Sequence, residues 1–149
     1  GGFFKIFFIL QLVELVLAYN FSRCDFRNFA QEYVNVIHTE LKDYVDRSTS
    51  TQSGSSSFCS NQFGCLNLIV NITFNPVPGC PSLARETFAI STREILIQRC
   101  PGYDTSQVNN AQKMKQSKIE VKPRRCREKV SDLMALWRQF IQYLRMKFH

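Results

Sequence analysis

The chain has 149 residues, 44% hydrophobic and 21% charged, a composition that excludes collagen, a long coiled coil and a fully disordered polyelectrolyte and fits one domain with a core. Its 19 Lys and Arg outnumber 12 Asp and Glu for a net charge of +7, so an acidic partner suits it. His38 and His149 stand far apart with no Cys-x-x-Cys pair beside them, which leaves no spacing for a zinc site and no metal or cofactor to expect.

Residues 1–18 read as a secretory signal peptide: Lys5, an apolar run from Ile6 to Val13, Glu14, and a second apolar stretch ending Val16-Leu17-Ala18. Cleavage is predicted between Ala18 and Tyr19, leaving 19–149 as the mature domain. A membrane span needs about 20 apolar residues, and Glu14 interrupts this run. Secretion takes the six cysteines into an oxidising compartment, where they serve as structural bonds. The sequons Asn20-Phe21-Ser22 and Asn71-Ile72-Thr73 predict glycans on Asn20 and Asn71.

Phe26, Phe29, Tyr33, Ile37, Leu41 and Tyr44 recur at helical spacing and predict a first helix over 25–46, with Asp25 as its N-cap. Arg47 to Ser57 offers no apolar side chain to bury and reads as a loop. Leu66 to Phe74 is ambiguous. Its alternation suits a strand, but Leu66, Ile69, Val70 and Thr73 share a helical face and a lone strand has no partner, so a short helix over 65–74 is preferred. Ser82 before Leu83 looks like the start of a third helix over 82–99, with Ala84, Phe88, Thr92, Ile95 and Leu96 on one face and Pro101-Gly102 stopping it. Val130, Leu133, Trp137, Phe140, Ile141, Leu144 and Phe148 predict a fourth helix over 124–148.

The links between these helices are about 18, 6 and 23 residues long, and a long, short, long order implies two crossovers and an up-up-down-down bundle. Eighteen extended residues reach at most about 60 Å, ample for a first helix about 30 Å long. The cysteines fit that topology. Cys59 and Cys65 close a small polar loop, Cys24 would meet Cys100 where the first helix begins and the third ends, and Cys80 would meet Cys126 where the third and fourth begin. An up-down-up-down bundle would hold Cys24 a helix length from Cys100, beyond the roughly 7 Å limit between bonded alpha carbons.

Several short runs carry a resemblance across nearly the whole chain: Ile9-Leu10-Gln11-Leu12-Val13, Cys24-Asp25-Phe26, Thr73-Phe74-Asn75-Pro76, Gly79-Cys80 with Ser82-Leu83-Ala84, Cys100-Pro101-Gly102-Tyr103, and Leu136-Trp137-Arg138. In order and at this spacing they resemble the mammalian short-chain four-helix-bundle cytokines. The resemblance implies the same three disulfide pairings, a helix at the ambiguous second segment, and no catalysis. It also implies a secreted ligand, monomeric before receptor binding, that joins its own receptor chain to the interleukin-7 receptor alpha chain, starting JAK/STAT signalling in dendritic and other type 2 immune cells. One departure concerns the last link. Where some members carry an unbroken basic run suited to furin-like proteases, Lys113, Lys115, Lys118, Lys122 and Arg124-Arg125 are separated here by Glu120 and Pro123.

Such a ligand would be read by helix faces not needed for the core. Arg138, Gln142 and Arg145 share one stripe of the fourth helix. Neighbouring Trp137 lies on the apolar stripe, leaving both core packing and receptor contact open to it. Asn28, Glu32, Asn35, Thr39 and Lys42 form the polar stripe of the first helix, with Asn35 a candidate contact. Between Lys113 and Lys129 eight basic residues face two acidic ones, a segment suited to steering toward an acidic receptor or to retention on heparan sulfate. The segment lacks the interleaved aromatics of single-strand nucleic-acid binders. Enzyme signatures are absent: there is no Gly-x-Ser-x-Gly, no phosphate loop and no His beside a nucleophile. The rival reading is a cationic membrane-active protein working through the basic, amphipathic stretch from Arg124 to His149.

Overall fold

A computed structural model describes residues 19–47, 57–103 and 121–147. The signal segment, the loop over 48–56, the link over 104–120 with Lys113, Lys115, Lys118 and Glu120, and the last two residues, Phe148 and His149, lie outside the described residues. Four helices carry the fold: α1 over 29–46, α2 Gln62–Phe74, α3 Thr87–Arg99 and α4 Pro123–Lys147. No strand occurs among the described residues, where β pairing is limited to one bridge between Val77 and Cys80.

The cysteines and a few polar bonds set the direction of every helix. Cys24 is bonded to Cys100, and the Asp25 amide donates to the Arg99 carbonyl at 2.8 Å, so α1 begins where α3 ends. Gln139, late in α4, donates to the Ser57 carbonyl and accepts from the Cys59 amide, just ahead of α2. Early in α4, Lys129 reaches the Asn75 carbonyl, just after α2. Those two helices are therefore antiparallel. Cys80–Cys126 sets the starts of α3 and α4 side by side, and Cys59–Cys65 closes the approach to α2. The result is up-up-down-down, the short four-helix cytokine architecture with three disulfides.

Three helix starts differ from the sequence reading, each for a specific reason. Asp25 does not cap α1. Its carboxylate accepts from the backbone amide and the guanidinium of Arg27, which hold it at about 2, and the chain stays in a turn until Phe29. Ser82 likewise caps only a turn, through the Ala84 amide, because Leu83 is buried with its amide on the Thr73 carbonyl; α3 waits until Thr87. In the other direction, α2 starts three residues early because Asn61 accepts from the Gly64 amide at 2.8 Å, an N-cap hidden within a polar run. Pro123 occupies the first position of α4, where a missing N–H has no consequence.

Inside, an aromatic stack joins α1 to α4. The Trp137 and Tyr33 rings lie 5.5 Å apart and nearly parallel, while Phe29 meets Phe140 edge-on at 5.7 Å. Such pairs add about 0.5–1.5 kcal/mol each beyond the area they bury. Around the stack α1 changes its winding. Over Tyr33–Ile37 it opens into a π turn, closed by the His38 amide donating to the Tyr33 carbonyl five residues back.

Lys129 is the one charged side chain in the core of the described residues, 2% exposed, with its ammonium 2.9 Å from the Asn75 carbonyl. Burial, and then the nearby Arg125, lower it from 10.5 to about 8. Between those values the unfolded chain keeps a proton that the folded chain has released, so stability should rise with pH there. Urea unfolding of the wild type at pH 7.5 and 9.5 should show a gain of about 1–2 kcal/mol. In Lys129→Met the gain should shrink; equal gains would assign the effect to other groups. Above that range Tyr103, whose burial raises it to about 12, acts in the opposite sense, since its unfolded form ionises first.

Candidate functional site

Two exposed faces remain once the core is set. The first combines the outer stripe of α4 with the end of the loop leading into α2. Arg138, Gln142 and Arg145 are all exposed, as their spacing requires. Trp137 is not. At 1% exposure under Tyr33 it is a core residue, and a partner arriving here would meet Arg138 instead of the indole.

Beside that stripe is a residue the sequence reading passed over. Phe58 is 73% exposed, yet its backbone neighbours are held from both sides by α4. Gln139 bonds the Ser57 carbonyl and the Cys59 amide, both at 3.0 Å, and the Tyr143 hydroxyl donates to the Cys59 carbonyl at 3.1 Å. The Cys59–Cys65 bond anchors the same three residues to the start of α2. An aromatic ring is thus presented to solvent on a fixed backbone, a form that reduces the ordering a partner must impose. Its sequence signal was an aromatic wedged between a polar run and a short-loop cysteine. At the same end Lys147 sits 5.4 Å above the Phe63 ring, adding positive charge to an aromatic margin.

The second set of exposed groups stands on α1 and α3, which are neighbours. The polar stripe Asn28, Glu32, Asn35, Thr39 and Lys42 is exposed throughout. Within it the π turn shows Val34, 52% exposed, next to Asn35, and α3 shows Ile97 at 51% with Ile90 two turns away. Glu40 accepts the Ser91 hydroxyl at 3.1 Å and locks the two helices together. Exposed apolar residues framed by polar ones are what a protein partner uses at the centre of its contact. The sequence reading missed Val34, Ile90 and Ile97 because each stands outside its helix's apolar stripe.

Neither face carries a reactive group. All six cysteines are in disulfides, and no cluster of His, Cys, Asp and Glu among the described residues could hold a metal ion. Binding is the chemistry these faces offer.

Residues 19–142 match the family described as thymic stromal lymphopoietin. The chain belongs to that family. It is 38% identical over 137 residues to mouse thymic stromal lymphopoietin, covering 91% of this chain and 93% of the mouse protein. Two solved chains, from structures titled as cytokine receptor complexes in two crystal forms, superpose with TM-scores of 0.62. They are 35% and 33% identical, and each comparison covers 83% of this chain and 97% of the solved one. As a member of the thymic stromal lymphopoietin family, the chain is a cytokine that acts through receptors and is not an enzyme. Its family is secreted, and no helix among the described residues is long and apolar enough to cross a membrane.

Proposed function

We propose that this chain bridges two receptor chains, its own family's receptor and the interleukin-7 receptor alpha chain, and so starts JAK/STAT signalling in dendritic and other type 2 immune cells. In this reading 1–18 is the signal peptide and Asn20 and Asn71, both exposed, carry glycans. The observations that support it are the family match and the exposed groups on several helices of one disulfide-fixed bundle. One receptor docks on Phe58 with Arg138, Gln142 and Arg145; the other docks on Val34, Asn35 and Ile97. Signalling then needs no bond made or broken, only two receptors held at a fixed separation.

The experiment is surface plasmon resonance of the glycosylated chain from Tyr19 onward against each ectodomain, alone and in mixture. Phe58→Ala should weaken one receptor at least tenfold, about 1.4 kcal/mol or more, and leave the other within twofold. Val34→Asp with Ile97→Asp should do the reverse. Equal losses to both receptors, or none, would overturn the two-face assignment. The membrane-active alternative finds no support in the intact fold, because Val130, Leu133, Leu136, Phe140, Ile141 and Leu144, the apolar side of α4, are buried.

A further inference from the structure

At the end of the bundle away from Phe58, the close of α1, the start of α3 and the start of α4 enclose a groove of about 250 Å³. Arg47, Arg127, Tyr44, Glu86 and Pro123 line it. Tyr44 forms one wall, its ring edge-on to Phe88 at 5.8 Å, with the Arg47 guanidinium 5.8 Å over it. Arg47 also donates from Nε to the Asp43 carbonyl, so ring and carbonyl together fix its plane. No carboxylate among the described residues forms an ion pair with Arg47 or Arg127. One turn before Arg127, Arg124 has an 86% exposed side chain and only a 3.8 Å contact to Glu128, a carboxylate that Arg125 holds at 3.1 Å from the side of Gly79. Positive charge therefore exceeds negative within the groove and along its rim.

We propose that this groove is the docking site for a sulfated glycosaminoglycan, with Arg47 and Arg127 clasping one sulfate and Arg124 meeting the next along the chain. Planar guanidinium groups match the geometry of sulfate oxygens better than ammonium groups do. A polymer is favoured over a single small anion because the unneutralised cations continue past the groove. The polyanions a secreted protein meets are extracellular. The sequence pointed to the segment between Lys113 and Lys129; the fold adds Arg47 and Tyr44, distant in sequence, and supplies the walls. Arg127 and Tyr143 are about 24 Å apart along α4, so a bound polysaccharide leaves the Phe58 end open to a receptor.

Heparin affinity of the glycosylated chain from Tyr19 onward, measured on immobilised heparin at rising sodium chloride, tests this. The wild type should bind at physiological salt. Arg47→Gln with Arg127→Gln should weaken it about tenfold. Arg23→Gln with Arg93→Gln removes the same charge near the Cys24–Cys100 end and should change affinity less than twofold. Glu86→Gln, which removes the groove's lone carboxylate, should tighten binding about twofold. Melting temperatures and receptor binding, read in parallel, separate a folding defect or a failed receptor assignment from a failed groove. Equal weakening by the two double variants, or no binding at physiological salt, would overturn the proposal. So would phosphatidylserine vesicles that bind more tightly than heparin and lose as much affinity in Arg47→Gln with Arg127→Gln.

Discussion

Trp137→Ala is expected to cost about 3–5 kcal/mol of folding stability, the range for removing a large aromatic side chain from a packed core. The indole is 1% exposed and touches rings from two helices: it stacks on Tyr33 of α1 and meets Phe140 of its own helix edge-on at 5.6 Å. Truncation removes the ring stacked on Tyr33 and one of the rings around Phe140, and opens a cavity between α1 and α4 that aromatic neighbours cannot easily fill. Trp137→Phe, which keeps part of the stack, should cost less. Urea unfolding gives the magnitudes, and receptor binding measured well below the transition separates the roles of neighbouring residues. Arg138→Ala should weaken one receptor with stability unchanged; Trp137→Ala should lower stability while the folded fraction still binds. A stable Trp137→Ala variant that no longer binds would mean that the indole moves outward to meet its partner.

Replacing Cys24 and Cys100 together with Ala should cost about 4 kcal/mol on the loop-entropy account, since the bond joins residues 76 apart. It also releases a junction on which several features depend. Cys24 leads into the Asp25 amide bond to Arg99, and beside it Tyr19 packs edge-on to Tyr103 and donates from its hydroxyl to the Pro101 carbonyl. Loss of the Cys59–Cys65 bond, spanning a separation of 6, should cost only about 2 kcal/mol. Thermal melting of the two double variants under oxidising conditions compares them directly. A smaller loss for the Cys24 pair than for the Cys59 pair would show that residual structure in the unfolded chain, and not loop length, sets these contributions.

The bundle was legible in the sequence because amphipathic stripes and cysteine positions report the same geometry independently. Phe88, Thr92, Ile95 and Leu96 on α3, and Val130, Leu133, Trp137, Phe140, Ile141 and Leu144 on α4, are buried as their spacing requires. Helix starts were less legible, because they depend on tertiary partners. Nothing near Asp25 in the chain reveals that the end of α3 will hold its amide, and nothing near Ser82 reveals Thr73. The faces were legible in their polar part and opaque in their apolar part: periodicity assigns Arg138 to the outside, but it treats an exposed Phe58 or Val34 as noise. The groove was the least legible, since Arg47 and Arg127 become neighbours only through the fold.

The π turn in α1 has a consequence for how that helix tolerates change in length. Its buried residues, Phe29, Tyr33, Ile37 and Leu41, recur every fourth position, and in a regular α-helix each such step drifts by about 40°. Three steps would swing Leu41 about 120° away from the side that holds Phe29. The wider turn over Tyr33–Ile37 absorbs that drift and works as a phase correction, keeping both ends of α1 aimed at α4. A one-residue deletion inside it would allow regular winding and still leave Leu41, then eleven steps from Phe29, within about 20° of the same side, so the change would fall on the turn itself. Two halves of one helix are thus kept in phase by a local surplus of chain, and Val34 sits on that surplus, so the length of the turn and the shape of the exposed face cannot vary independently.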